Sequence, residues 1–233
     1  KMKFMFPNQQ GIWLHDTPEK EVLEEADLRA RASAIRWYHT IDLGQGVITR
    51  GADHTPHRLP LLDLPASLAG KSVLDIGAWD GFFSFEAERR GASRVVASDY
   101  YSWHGSGWGT KAGFELARIA LGSHVEDIDV DVMDLSPERV GTYDVVLFLG
   151  VLYHLPHPLE ALERVASVTR ELLILETVVD MVGIARPAMA FYPGRELNSD
   201  PTNRTTGSTG SAGSTGSAGS AGLAEPARVL GGS

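Results

Sequence analysis

From Lys71 onward, short apolar runs alternate with longer stretches whose apolar residues recur every three or four positions. The short runs predict buried strands at Ser72–Ile76, Arg94–Ser98, Val125–Val132, Tyr143–Leu149 and Glu171–Val178. The stretches between them predict helices. One spans Phe82–Arg90 and ends at Gly91, and a second spans Lys111–Leu121 and is closed by Gly122. A third spans Pro158–Thr169, with Leu159, Leu162, Val165 and Ala166 on one face. Strands alternating with helices predict an α/β fold with a parallel sheet, because right-handed crossovers place a helix between successive parallel strands.

The N-terminal part is less regular. Residues 17–36 read as a helix, with Asp16 or Thr17 as cap, Pro18 in the first turn and Glu19, Glu21, Glu24 and Glu25 near its positive end. Leu23, Ala26, Ala30 and Ala34 form a partial apolar stripe. Trp37 to Arg50 reads as extended chain with a turn at Gly44-Gln45-Gly46, and Asp53 to Pro60 as an irregular connector. Thr205 to Gly222 contains only Thr, Gly, Ser and Ala, which offers nothing to bury and predicts flexible coil. The expected division is an N-terminal helical and extended segment at 1–70, a core domain at 71–203 and a flexible tail at 204–233.

Composition narrows the chemistry. No cysteine is present, which excludes disulfides, thiolate metal sites and a cysteine nucleophile. The formal charge is −9, which opposes nonspecific binding to polyanions such as nucleic acid. No apolar run approaches the ~18 residues that cross a bilayer, and no signal peptide is expected. A cytoplasmic location is the default expectation, and oligomeric state is not readable.

The informative stretch is Asp75-Ile76-Gly77-Ala78-Trp79-Asp80-Gly81. A strand enters a glycine turn, and the turn opens a helix. Gly77 permits a tight turn and close approach of a ligand; Gly81 permits close packing where free N–H groups favour a polar or anionic ligand end. Asp99 ends the next strand, placed to accept hydrogen bonds from two ribose hydroxyls. A purely structural turn, with Asp99 as a helix cap, is the alternative. A dinucleotide-binding dehydrogenase would need Gly-x-Gly-x-x-Gly, which this turn does not supply.

The turn resembles the first motif of class I S-adenosylmethionine-dependent methyltransferases, with Trp79 in place of the middle glycine. The resemblance implies a Rossmann-like sheet of order 3-2-1-4-5 with helices on both faces. It also implies S-adenosylmethionine held by Asp75, Gly77, Ala78, Trp79, Asp80, Gly81, Asp99 and Tyr100. It places Met133 and Asp134 at the adenine edge, and Leu149 and Gly150 beside the cofactor. Phe148-Leu149-Gly150-Val151-Leu152-Tyr153-His154-Leu155 is similar to a segment of the tRNA wobble-uridine methyl/carboxymethyl transferase family. The similarity runs from about Trp37 to Asn203, with Tyr192-Pro193-Gly194 as a further echo. On that resemblance Tyr153 would meet the extra carboxylate of carboxy-S-adenosylmethionine, with Arg50 as the nearest cation; plain S-adenosylmethionine is the first expectation. The family's last helix and antiparallel strand pair belong where the Gly/Ser tract lies. They are expected to be missing, leaving the fifth strand as an open edge.

Methyl transfer asks the protein mainly for alignment, plus a general base if the acceptor is a hydroxyl. His154 is the first candidate for that base and Tyr153 the second; a partly buried histidine bonded to a carbonyl is the alternative. Tyr100-Tyr101-Ser102-Trp103-His104, continuing to Trp108, either walls the pocket or packs the core. Asp53, His54 and His57, and His154 with His157, are spaced too loosely for a metal, and none is expected. A small-molecule acceptor is favoured over tRNA on charge. A catalytically inactive cofactor-binding domain remains the reading from another class.

Overall fold

The computed structural model describes residues 23–104 and 110–178, together with the backbone of 227–230. The capping residues expected near position 17, Trp108, the Tyr192-Pro193-Gly194 echo and the Gly/Ser tract lie outside the described residues.

The first described element is helix α1 (Glu25–Ala34), which packs on α5 (Ala112–Leu121). Leu28 and Ala32 are its buried residues, while Ala26, Ala30 and Ala34 face solvent. The expected stripe is therefore shifted: the Leu28–Ala32 pair, four apart, is the face that meets the core. Trp37 to Thr49 is extended, joined by an isolated bridge between Asp42 and Ile48 across the predicted turn, where Gly44, Gln45 and Gly46 all have positive φ. The connector contains one short helix, α2 (Thr55–Arg58).

The sheet follows. Its first five strands are β1 (Ser72–Ile76), β2 (Arg94–Asp99), β3 (Glu126–Asp129), β4 (Tyr143–Leu149) and β5 (Thr169–Glu176). They are parallel, in the order β3-β2-β1-β4-β5. Helix α3 (Phe82–Arg89) links β1 to β2. The short α4 (Tyr101–His104) and then α5 lead to β3. Helix α6 (Pro137–Val140) precedes β4, and α7 (Pro158–Ser167) joins β4 to β5. The central strands are buried on both faces, which is why they read as continuous apolar runs. Val73, Val145 and Leu147 pack on one face with Phe83, Ala87, Phe114 and the N-terminal Trp37, Ile41 and Leu43. Leu74, Val146 and Phe148 pack on the other with Val140 and Val165. Residues before Lys71 thus share the core of the sheet.

Three features differ from expectation. β3 is Glu126–Asp129 rather than Val125–Val132, because Asp131 turns the chain out of the ladder into a 3-10 turn at Val132–Asp134. Leu159 is exposed, since α7 buries Ala161 and Val165 instead. β5 is not an open edge. A sixth strand, β6 (Ala227–Leu230), pairs with it antiparallel, matching Leu172 to Leu230 and Leu175 to Ala227. The expectation of a wholly unstructured tail and of a missing edge partner is corrected at these four residues. An antiparallel strand laid there satisfies the backbone groups that β5 would otherwise present to solvent.

Candidate active site

A cleft of about 390 Å³ opens at the carboxyl ends of β1, β2 and β4. Parallel sheets bind ligands at this edge, where successive crossovers leave the sheet toward opposite faces.

The glycine turn forms one side. Asp75, Ile76 and Gly77 line the cleft. Gly77 has φ +77, and a Cβ there would sit 2.4 Å from Cγ2 of Val151. Only glycine fits both the backbone and the neighbour. The amides of Gly77 and Ala78 both donate to the Ser98 carbonyl, at 2.8 and 3.0 Å, which ties the turn to the end of β2. Gly81 has φ +85 and caps α3. Its absent side chain leaves room for the Phe85 and Phe114 rings, which a Cβ would meet at 2.8 and 2.7 Å. Gly81 and Ala78 therefore shape the turn from outside the cleft lining.

Trp79 occupies the middle of the turn at φ +49. A left-handed tryptophan costs roughly 1–2 kcal/mol. Its interactions offset that cost. Its amide donates to Oδ2 of Asp99 at 3.0 Å, and its carbonyl accepts from Nε1 of Trp103 at 2.8 Å. Its ring stacks on Tyr38 with centroids 4.2 Å apart and planes 8° from parallel. The ring borders the cleft.

Asp99 also lines the cleft. Its Oδ1 accepts the Ser102 amide at 2.8 Å. Burial pushes its pKa up, and those backbone donors pull against it. Asp75 is buried beneath the turn at the inner wall of the cleft and accepts the Ser84 hydroxyl at 2.6 Å. Burial pushes its carboxyl up to about 7, despite the Ser84 bond, and the Asp99 charge adds to the rise.

Asp80 stands elsewhere. Its carboxylate turns away from the cleft and accepts the amides of Tyr38 and His39 at 2.7 and 2.9 Å. Its pKa is raised to about 6 by burial, against those two donors. The expected cofactor contact is in fact a clamp on the N-terminal segment.

The adenine-edge expectation shifts by a few residues. Val130, Asp131 and Val132 line the cleft. Met133 and Asp134 are not part of its lining. The Met133 amide is taken by Oδ1 of Asp131 at 2.9 Å, and Asp134 is exposed, paired with Arg139 at 2.9 Å. The physical reason is the Asx cap: Asp131 folds back on the turn, which rotates Asp134 to the surface.

Beyond β4, Leu149 and Gly150 line the cleft. Gly150 has φ +72 and donates its amide to the Glu176 carbonyl at 2.9 Å. Tyr153 and His154 follow on a single 3-10 turn, with rings 4.1 Å apart, and both line the cleft. Tyr100 and Tyr101 wall it too, while Trp103 is buried in the core.

Tyr38, His39, Phe83 and Arg58 also line the cleft and had no assigned role in the sequence. Arg58 bridges Asp53 at 3.2 Å and Glu176 at 2.9 Å. Burial alone would lower its pKa; the Glu176 and Asp53 charges outweigh that and raise it. Arg50, the cation expected from the wobble-uridine resemblance, is exposed and outside the lining. His39 is buried, and desolvation, with help from Arg58, pushes it down to about 3, so it is neutral. Only Asp131 had a local signal, a loop Asp two residues before the amide it caps. Tyr38 and Arg58 are brought in by partners 42 and 118 residues away.

Among the described residues, no group of three or more His, Asp or Glu side chains converges as a metal site. No helix there is long and apolar enough to cross a membrane.

Known proteins agree with this architecture. The chain is 34% identical over 111 residues to the ubiquinone biosynthesis O-methyltransferase of Nitrosococcus oceani, covering 46% of this chain and 42% of that protein. It is 35% identical over 106 residues to the protein of the same name from Pseudomonas aeruginosa strain LESB58, covering 46% and 43%. The chain thus spans less than half the length of these curated relatives. Their names do not carry the wobble-uridine resemblance of the segment after β4. Among solved structures, the N-terminal domain of EvdMO1, crystallised in the presence of SAH and D-fucose, superposes with a TM-score of 0.54. The two are 21% identical, with 66% of each chain covered, which is a likeness of fold. The sequence profile of the methyltransferase domain matches residues 49–196, a span that includes β1 to β5 and the turns that build the cleft. With more than half of its length matched, the chain belongs to the methyltransferase domain family.

Proposed function

We propose that the chain is an S-adenosylmethionine-dependent methyltransferase acting on a hydroxyl of a small molecule. The observation that carries this reading is the meeting of the Gly77 turn, Asp99 and Gly150 in one cleft at the carboxyl edge of the sheet. The residues present fit the cofactor. At Gly150 a Cβ would stand in ordinary contact with Oε2 of Glu176 at 3.6 Å and the Tyr153 hydroxyl at 3.8 Å. Asp99 faces the cleft with a carboxylate suited to two ribose hydroxyls, and Asp131 and Val132 lie beyond β3, suited to the adenine edge. Bound S-adenosylmethionine supplies an activated methyl group.

The protein's own contribution is to orient and to move one proton. Tyr38, Trp79 and Tyr100 supply flat aromatic walls for planar ring systems. His154 takes the proton from the acceptor hydroxyl as the oxygen attacks, with Tyr153 beside it to hold the hydroxyl in line. Arg58 is already engaged by two carboxylates, so this wall offers no net positive charge to an extra carboxylate. That favours S-adenosylmethionine over carboxy-S-adenosylmethionine. The relatives' names and the net charge of −9 both favour a small acceptor over tRNA. The reading is tested by methyl transfer from radiolabelled S-adenosylmethionine to a panel of phenols, catechols and sugars, with unmodified tRNA in parallel. Label on a hydroxylated small molecule, lost in His154→Ala, supports it; label on tRNA alone overturns the acceptor assignment.

A further inference from the structure

We infer that Arg58 is a positioning residue for the transfer step: through Glu176 it holds the His154 turn in place, and so sets the rate of transfer rather than the affinity for the cofactor. The inference rests on the reading above that His154 takes the acceptor's proton.

Arg58 ends α2 and is the one arginine or lysine among the described lining residues. Its Nη1 meets Oδ2 of Asp53 at 3.2 Å, and its Nη2 donates to Oε2 of Glu176 at 2.9 Å. The three side chains are half-buried together. The Tyr38 hydroxyl lies against the same guanidinium. Asp53 and Tyr38 belong to the same N-terminal segment as Arg58. Glu176 does not: it ends β5, 118 residues along the chain. The Glu176 bond is therefore the one that ties this wall to the sheet.

Glu176 also holds the start of the turn that carries His154. It stands in register with Leu149, and its carbonyl accepts the Gly150 amide at 2.9 Å. From Gly150 the chain runs through Val151 into the 3-10 turn, closed by the His154 amide on the Val151 carbonyl at 2.9 Å. Glu176 thus grips Arg58 with its side chain and the approach to His154 with its backbone. Its Oε2 and the Tyr153 hydroxyl both lie within contact of the Cβ position on Gly150, at 3.6 and 3.8 Å. Without Arg58, Asp53 and Glu176 would share the half-buried wall with no cation between them, and they would repel. Repulsion at Glu176 pulls on Gly150 and the turn behind it. A shift of roughly 1 Å in a reacting group costs about 100-fold in rate. The cofactor side is held separately. Gly77 and Ala78 are tied to the Ser98 carbonyl, and Asp99 to the Trp79 and Ser102 amides, by bonds that Arg58 does not join. A lysine keeps the charge but lacks the planar fork that serves two carboxylates at once.

The experiment compares wild type, Arg58→Lys and Arg58→Ala by three measurements on folded protein. The first is kcat at saturating radiolabelled S-adenosylmethionine, with the hydroxylated compound that takes label in the panel above. The second is S-adenosylhomocysteine affinity by titration calorimetry. The third is amide exchange by NMR at Gly150 and His154, with Gly77 and Ala78 as the control for general loss of stability. In Arg58→Ala, kcat is expected to fall about 10- to 100-fold while S-adenosylhomocysteine affinity changes less than threefold. The Gly150 and His154 amides should exchange at least tenfold faster than in wild type, and the Gly77 and Ala78 amides at unchanged rates. Arg58→Lys should fall between the two. A retained kcat, a loss of affinity as large as the loss of kcat, or faster exchange at all four amides together overturns the inference and leaves the cofactor reading standing. If no small molecule takes label, the acceptor reading falls alone, and the amide pattern decides whether Arg58 holds the turn. If folded wild type binds no S-adenosylhomocysteine, the cofactor reading and this inference fall together. If Arg58→Ala does not fold, Arg58→Lys is read by the same criteria, with at least a threefold loss of kcat expected.

Discussion

The carboxyl edge of the sheet and the N-terminal segment from Trp37 to Arg58 wall one cleft by different means. The sheet edge is positioned by repeating structure: β1, β2 and β4 bring Gly77, Asp99 and Gly150 together because parallel pairing fixes where each strand ends. The N-terminal segment shares the core through Trp37, Ile41 and Leu43, but its cleft-facing residues are held by a few single interactions. They are the Asp80 clamp on Tyr38 and His39, the Tyr38–Trp79 stack and the Arg58–Glu176 bridge. Repetition tolerates the loss of one contact; a segment held by a few does not. The edge is therefore expected to lose function when altered, and the segment to lose stability.

The largest effect is expected at the clamp. Asp80→Ala leaves one buried and one half-buried backbone amide without an acceptor, each costing roughly 1–3 kcal/mol, so a loss of about 3 kcal/mol is expected in urea unfolding. Asp80→Asn keeps an acceptor oxygen and should lose less. A loss below about 1 kcal/mol in the alanine variant would mean that the segment is held some other way.

Next comes the edge. Asp99→Ala should weaken S-adenosylhomocysteine binding by about 10- to 100-fold, since charge-assisted hydrogen bonds are worth roughly 1.5–3 kcal/mol each. Its stability cost should be smaller than that of Asp80→Ala. The reverse ranking would erase the distinction between the two regions.

The pH dependence of stability separates them again. Asp75, at the edge, is raised from 3.8 to about 7, so the folded state holds a proton that the unfolded chain has lost. Its stabilising contribution is complete below about pH 4 and declines as pH rises through 7. His39, in the segment, is lowered from 6.5 to about 3, so the unfolded chain binds the proton instead. Its contribution is complete above about pH 6.5 and is lost as pH falls toward 3. Asp75→Asn should thus gain stability relative to wild type as pH rises from 5 to 8, on the order of 2–3 kcal/mol. Chemical denaturation at several pH values checks this, and parallel profiles for the two proteins would contradict it.

The smallest effect is expected at Asp134, an exposed partner of Arg139. Asp134→Ala should change stability by less than about 1 kcal/mol and S-adenosylhomocysteine affinity by less than twofold. A larger loss of affinity would return Asp134 to the adenine edge.

The same division explains what could be read in the sequence. The five parallel strands, their order and the glycine turn were legible, because burial on both faces and crossover handedness leave their mark within each segment. Asp99, Gly77, Gly150, Tyr153 and His154 were legible because they stand at strand ends or just beyond them. Asp80 was misread, since nothing in its neighbours shows that its oxygens meet amides more than 40 residues upstream. Asp131 and Asp134 were exchanged, because one capping hydrogen bond decides which of two nearby acids faces inward. Arg58 looked like part of an irregular connector; its role depends on Glu176, 118 residues away. β6 was hidden by its position after a tract of small residues.

The central claim is that the cleft binds S-adenosylmethionine through the carboxyl edge of the sheet. The most direct test is titration calorimetry of S-adenosylhomocysteine into wild type and Asp99→Ala, both shown to be folded. The account predicts saturable binding with one ligand per chain in wild type and at least tenfold weaker binding in the variant. Binding of equal strength in the two proteins, or no binding by folded wild type at millimolar ligand, would contradict it.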